Sequence, residues 1–160
     1  LVDPIKKGIN TMNLSRHFTL EELIFSQTAA RMGIDNTPGA ETLTNLRGLS
    51  NFLEAIRDKI KKPIYISSGY RSKDLNKAIG GSETSSHMFG LAADIISPSY
   101  GTPAELAEVI VALDLGFDQL ILEFGKWVHV SVAEKPRGEM LTAINTVNGI
   151  QYKAGITDFS

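Results

Sequence analysis

Leu43, Leu46, Leu49, Phe52, Leu53, Ile56 and Ile60 recur at helical spacing, while Arg47, Glu54, Arg57 and Lys61 occupy the other faces. A long helix with a single apolar stripe has to bury that stripe against a second layer. Pro63 ends it, and short strands follow. Ile64–Ile66 reads as the first, left through the loop Ser67-Ser68-Gly69-Tyr70-Arg71. Leu91–Ile96 reads as a buried strand. Gln119–Glu123 and Trp127–Val132 form a pair joined by a hairpin loop at Phe124-Gly125-Lys126. Asn148-Gly149 suits the two-residue turn of a further hairpin in the tail. Shorter helices are signalled by the capping boxes Thr19/Glu22 and Thr102/Glu105, and by Ser72–Ile79 closed by Gly80-Gly81. Helices and short antiparallel strands in one domain point to an α+β fold.

Composition narrows the function. With 160 residues, 42% apolar and 21% charged, the chain suffices for one packed domain. A net charge of −2 and a pI near 5.9 leave no basic footprint for nucleic acid. No apolar run approaches the roughly 20 residues of a membrane helix. No basic-then-apolar leader is seen either, so membrane insertion and a secretory signal are not expected. Residues 1–13, which start at Leu1 rather than Met, read as an N-terminal tail or tag, and 14–160 as a single domain. There are no cysteines, so any metal has to be held by nitrogen and oxygen ligands. A monomer is the default expectation.

Asp94 is the sharpest anomaly. It interrupts the apolar run Ala92, Ala93, Ile95 and Ile96, where a lone carboxylate is costly to bury. An arginine, a backbone turn or a metal ion are its candidate partners. Two of the three histidines lie in unusual settings. His87 closes a polar loop just before the Asp94 strand. His129 alternates with valines, so that Trp127, His129 and Ser131 share one face while Val128, Val130 and Val132 face the core. Two imidazoles and one carboxylate complete a protein ligand set for a catalytic zinc, with the fourth position left to water. Hydrolysis at such a site needs a base. If the loop is Phe124–Lys126, Glu123 lies opposite Trp127 and Ile121 opposite His129, so Gln119, Glu123 and His129 point the same way. Arg71 is the candidate partner for an oxyanion or a carboxylate.

Each residue also has a plain reading. His129 can be a hydrogen-bonded strand histidine, His87 a loop residue, Asp94 a salt-bridged core acid, Arg71 a solvated turn residue and Glu123 a charge guarding a hairpin edge. His17, beside a helix start, reads as structural. The functional reading rests on their occurring together.

Ser68-Gly69-Tyr70-Arg71-Ser72, Ser86-His87 with Gly90 and Asp94, and Trp127-Val128-His129 resemble the zinc D-alanyl-D-alanine carboxypeptidase family, which includes L-alanyl-D-glutamate endopeptidases and many phage endolysins. The resemblance runs from about Phe18 to Ser131. It implies a small central antiparallel sheet with helices packed on one side and zinc in an open cleft. It implies His87, Asp94 and His129 as zinc ligands, Arg71 as the group that binds substrate or stabilises the transition state, and a glutamate base. Some branches place that base three residues before the last histidine, where this chain has Lys126. Glu123 is the nearby acid whose setting is similar to a related branch, with Asp118 as its rival. Where some relatives carry a histidine, Trp127 stands and forms a cleft wall. Ser86, Gln119 and Trp127 join Arg71 as expected substrate contacts. The implied function is zinc-dependent hydrolysis of a peptide bond in peptidoglycan stem or cross-link peptides, with bacterial peptidoglycan as partner. A phage lysin acting on the host wall fits the missing leader, and a trimmed virion or secreted protein would look the same. The alternative is a non-catalytic, zinc-bearing wall-binding or phage structural module.

Overall fold

The computed structural model describes residues 12–159. The elements run α1 (Leu20–Ile24), α2 (Gln27–Met32), α3 (Ala40–Ile60), β1 (Tyr65–Ser68), α4 (Lys73–Ala78), a 3-10 turn (Ser86–Phe89), β2 (Ala92–Ile96), α5 (Pro103–Leu113), β3 (Gln119–Glu123), β4 (Trp127–Ser131), β5 (Glu139–Thr146) and β6 (Gly149–Ala154). Thr19 and Thr102 each cap their helix in a reciprocal box with the glutamate three residues on. The long helix stops at Ile60, with Lys61 left-handed at φ 57°. Pro63 disfavours helical backbone at the residue before it, so the turn falls ahead of the proline.

The strands form one sheet in the order β1-β2-β4-β3-β5-β6. One face is the core. Ala93 and Ile95 of β2, Val128 and Val130 of β4, and Leu120 and Leu122 of β3 pack with Leu46, Leu49, Leu53 and Ile56 of α3 and Leu106, Ala107 and Ile110 of α5. The apolar stripe of α3 is thereby buried, and the helices take one side as expected. Alternation then sends Asp94, His129, Ile121 and Glu123 to the opposite face.

The sheet is mixed, which corrects the expectation of an antiparallel one. β3 and β5 run parallel, with Gln119 opposite Glu139 and Glu123 opposite Ala143. β4 ends at Ser131 beside the start of β3. The next residues cross the end of β3 and begin β5 from the same side, so β5 takes the direction of β3. Asp118 holds the crossing. Its carboxylate accepts from Arg137 Nε at 3.1 Å, Arg137 Nη2 at 2.9 Å and the Arg137 backbone N–H at 3.0 Å.

The tail hairpin exists, but its turn is centred one residue earlier than expected. Thr146 pairs with Gly149, so Val147 and Asn148 make the turn. Gly149 opens β6 at φ 104°, backbone that suits glycine. The tail read over 1–13 lies outside the described residues except at its end. There Asn13 bridges Thr19, and Met12 O accepts from Leu20 N–H at 2.8 Å.

Candidate metal centre and active site

Three side chains converge on the open face. Asp94 and His129 stand directly opposite each other on β2 and β4. His87 arrives from the 3-10 turn, whose N-cap Ser85 accepts from the His87 backbone N–H. His129 Nδ1 lies 3.0 Å from Asp94 Oδ1, and His87 Nε2 lies 3.3 Å from the same oxygen. The two imidazole nitrogens are 3.2 Å apart. One ligand atom from each residue thus falls within 4.8 Å of the others, and all three side chains are buried.

The orientation of His87 is fixed from behind. Gly69 O accepts from His87 Nδ1 at 2.7 Å, which directs the Nε2 lone pair toward Asp94 and His129. Glycine at 69 is required by space: a Cβ there would meet Leu23 O at 2.2 Å, which is backbone and cannot move aside. Tyr70 N–H donates to that same carbonyl at 2.6 Å.

Arg71 follows in the loop. Its backbone N–H donates to His87 O at 3.1 Å, and its Nη2 reaches Ser85 Oγ at 3.5 Å. Asn36 clamps the loop on both sides of Arg71. Its Nδ2 donates to Tyr70 O at 3.0 Å, and its Oδ1 accepts from Ser72 N–H at 2.7 Å. Sequence reading gave Asn36 no role at the site. Nothing local marks it, because its partners are 34 and 36 positions away.

Glu123 completes the group. The hairpin loop is Phe124–Lys126 as expected, with Glu123 opposite Trp127 and Ile121 opposite His129. Glu123 Oε1 lies 4.0 Å from His129 Nδ1. Lys126 sits in the loop and is exposed. The rival acid Asp118 is committed to Arg137 and is absent from the cleft lining.

Charge and burial set the proton affinities. Burial pushes the Asp94 carboxyl up, but its close pairing with His129 and His87 outweighs it and holds the group well below the usual carboxylate range. Burial pulls His87 down, against the attraction of Asp94. Glu123 is pushed up, first by burial and then by the charge of Asp94, with His129, the Trp127 indole and Arg71 pulling the other way. Burial lowers Arg71, while Asp94 and Glu123 oppose that.

These residues line one cleft of about 660 Å³. All eight residues expected at the site from sequence are in its lining: Arg71, Ser86, His87, Asp94, Gln119, Glu123, Trp127 and His129. Gln119 is partly committed, since its Nε2 donates to Glu139 Oε1 at 2.5 Å. Trp127 stacks edge-on with Phe124, ring centres 5.7 Å apart. Among the described residues Arg71 Nε is a buried donor with no hydrogen-bond partner, as expected where a ligand supplies the missing acceptor. Arg137, Leu141 and Tyr152 also line the cleft. Sequence reading missed them, because the crossing that brings β5 and β6 alongside β3 depends on tertiary contacts.

The donor set suits a divalent ion. Two imidazole nitrogens and one carboxylate oxygen lie within 4.8 Å of one another, and three such ligands leave a tetrahedral ion one open position. The family model described as Peptidase M15 matches residues 16–131. The chain belongs to the peptidase M15 family. No curated protein sequence matches it. M15 peptidases are zinc-dependent enzymes that act on peptidoglycan, and His87, Asp94 and His129 fit a zinc site in this member.

Proposed function

We propose that this M15 peptidase hydrolyses a peptide bond in the stem or cross-link peptides of bacterial peptidoglycan, as a D-alanyl-D-alanine carboxypeptidase or an endopeptidase. The observation that carries the reading is the meeting of His87, Asp94 and His129 within 4.8 Å, with a partly buried carboxyl, Glu123, 4.0 Å from His129. His87 Nε2, Asp94 Oδ1 and His129 Nδ1 would hold the ion. Zinc bound there supplies Lewis acidity, polarising the scissile carbonyl and making a water acidic enough to ionise near neutral pH.

The chain's own groups do the rest. Glu123 accepts the proton of the attacking water and returns it to the leaving amine, and a carboxyl with raised proton affinity is suited to both transfers. Arg71 presents a guanidinium whose Nε has no partner among the described residues. It holds the carbonyl oxygen as charge develops, or a carboxylate of the substrate. Trp127, fixed by Phe124, walls the cleft and excludes water. Glu123 takes the part that other branches give to the position of Lys126, which favours an enzyme over a wall-binding module.

The test is a digest of bacterial peptidoglycan with and without a chelator, the products read by mass spectrometry. Chelator-sensitive release of peptide fragments is expected, and their masses identify the bond. A zinc-loaded chain that leaves several wall types intact would contradict the proposal.

A further inference from the structure

The β5–β6 wall has no role in the reaction as described, and the family match ends at Ser131, before this wall begins. Strand register sets how far the wall reaches. Trp127 pairs with Glu123, Glu123 with Ala143, and Ala143 with Tyr152. The four side chains therefore stand in one row on the cleft face. Neighbouring strands are about 4.8 Å apart, so the backbones of Glu123 and Tyr152 are separated by roughly two such spacings with only the Ala143 methyl between them. Tyr152 nevertheless lines the same cleft as Glu123 and Trp127, so its ring reaches across Ala143. Its proton affinity is raised by burial and by the charge of Glu123. Tyr152 stays 57% exposed, so the ring serves no core.

The far side of the cleft belongs to Arg71. This residue follows β1, and β1 and β6 are the two edges of the sheet. Arg71 and Tyr152 thus flank the His87–Asp94–His129 group from opposite sides. A peptide whose carboxylate or carbonyl meets Arg71 and whose scissile bond lies over that group extends toward Tyr152.

We propose that Tyr152 is a substrate-binding residue, its phenol O–H donating to a backbone carbonyl of the bound peptide on the Glu123 side of the metal ligands, opposite Arg71. The proposal rests on the peptide-binding reading of the cleft and adds to it a wall outside the family-matched segment.

The experiment uses the full chain loaded with zinc and soluble fragments from a muramidase digest of peptidoglycan. Turnover is measured for wild type, Tyr152→Phe and Tyr152→Ala. Fragment binding is measured by calorimetry on Glu123→Gln with and without each Tyr152 change. Losing one neutral hydrogen bond corresponds to about a fivefold to tenfold effect. Tyr152→Phe is expected to raise KM by about that factor with kcat within about twofold, and to weaken binding equally. Tyr152→Ala is expected to do more, with zinc content and Tm unchanged in both. Unaltered KM and binding in both variants would overturn the proposal. If fragments bind in a Tyr152-dependent way and are not cleaved, the proposal stands and the hydrolytic reading fails. If fragments neither bind nor react, both fall.

Discussion

A carboxyl partly shielded from water beside an ionised neighbour holds its proton more tightly than a free one, and Glu123 stands in that position next to Asp94. The two acids therefore divide their work by environment. Asp94 stays ionised between two imidazoles, while Glu123 can exchange a proton. Glu123→Gln is expected to keep bound zinc and lose about 100-fold or more in peptidoglycan cleavage. Metal analysis beside the digest checks this, and full activity in the variant would remove Glu123 from the role of base. Gly69 makes a second prediction at this scale. An added methyl must push against Leu23 O, which moves the carbonyl that orients His87. Gly69→Ala is expected to weaken zinc binding by about 10-fold to 100-fold, read by competition with a chromogenic chelator. Asp94 and His129 were legible in the sequence because each breaks a local pattern, as a charge in an apolar strand and a ring among valines, whereas His87, in a polar loop, was legible only together with them. Asn36 and Tyr152 break none, and only the assembled fold brings them to the site.

Short strands with fixed partners place the chemistry. Asp94 meets His129 because β2 and β4 pair in that register, and a one-residue slip would turn one of them into the core. The β3–β4 register was readable because a three-residue loop leaves little freedom between two strands of clear alternation. The β3–β5 pairing was not, since it depends on a crossing held by Asp118 and Arg137 rather than on a turn motif. Hydrogen bonds from Arg137 hold Asp118 below its ordinary value, against burial. A carboxylate with a depressed folded-state pKa contributes stability that is complete above its unfolded value, about 3.9, and lost as pH falls through the folded value. Asp118→Asn is expected to cost about 1–2 kcal/mol at neutral pH, allowing for screening at the exposed Arg137. In urea unfolding the gap from wild type should narrow below pH 4. A gap that persists into acid would show that the carboxylate charge is not what holds the crossing.

At the scale of the molecule, one face of the sheet is given to packing and the other to reaction. Among the described residues the largest fully buried side chains include Phe18, Leu49, Leu53 and Leu106, and they form the base on which His87, Asp94 and His129 are held. The α+β class and the one-sided helices were readable from the stripe of α3 and the valine alternation of β4, whereas the mixed sheet followed from where the chain crosses after Ser131. A metal that binds only the folded state also stabilises it, by about 3–4 kcal/mol when free metal exceeds Kd by 100-fold to 1,000-fold. Chelation is therefore expected to lower Tm by several degrees, with readdition of zinc restoring it, and a Tm indifferent to both would contradict a metal centre built across three elements. The most direct measurement is the zinc content of the purified chain after equilibration with zinc and removal of the free ion. About one zinc per wild-type chain is expected, and near zero for His129→Ala at unchanged secondary structure. A wild-type chain that holds no zinc, or a variant that holds as much as wild type, would contradict a metal centre at His87, Asp94 and His129.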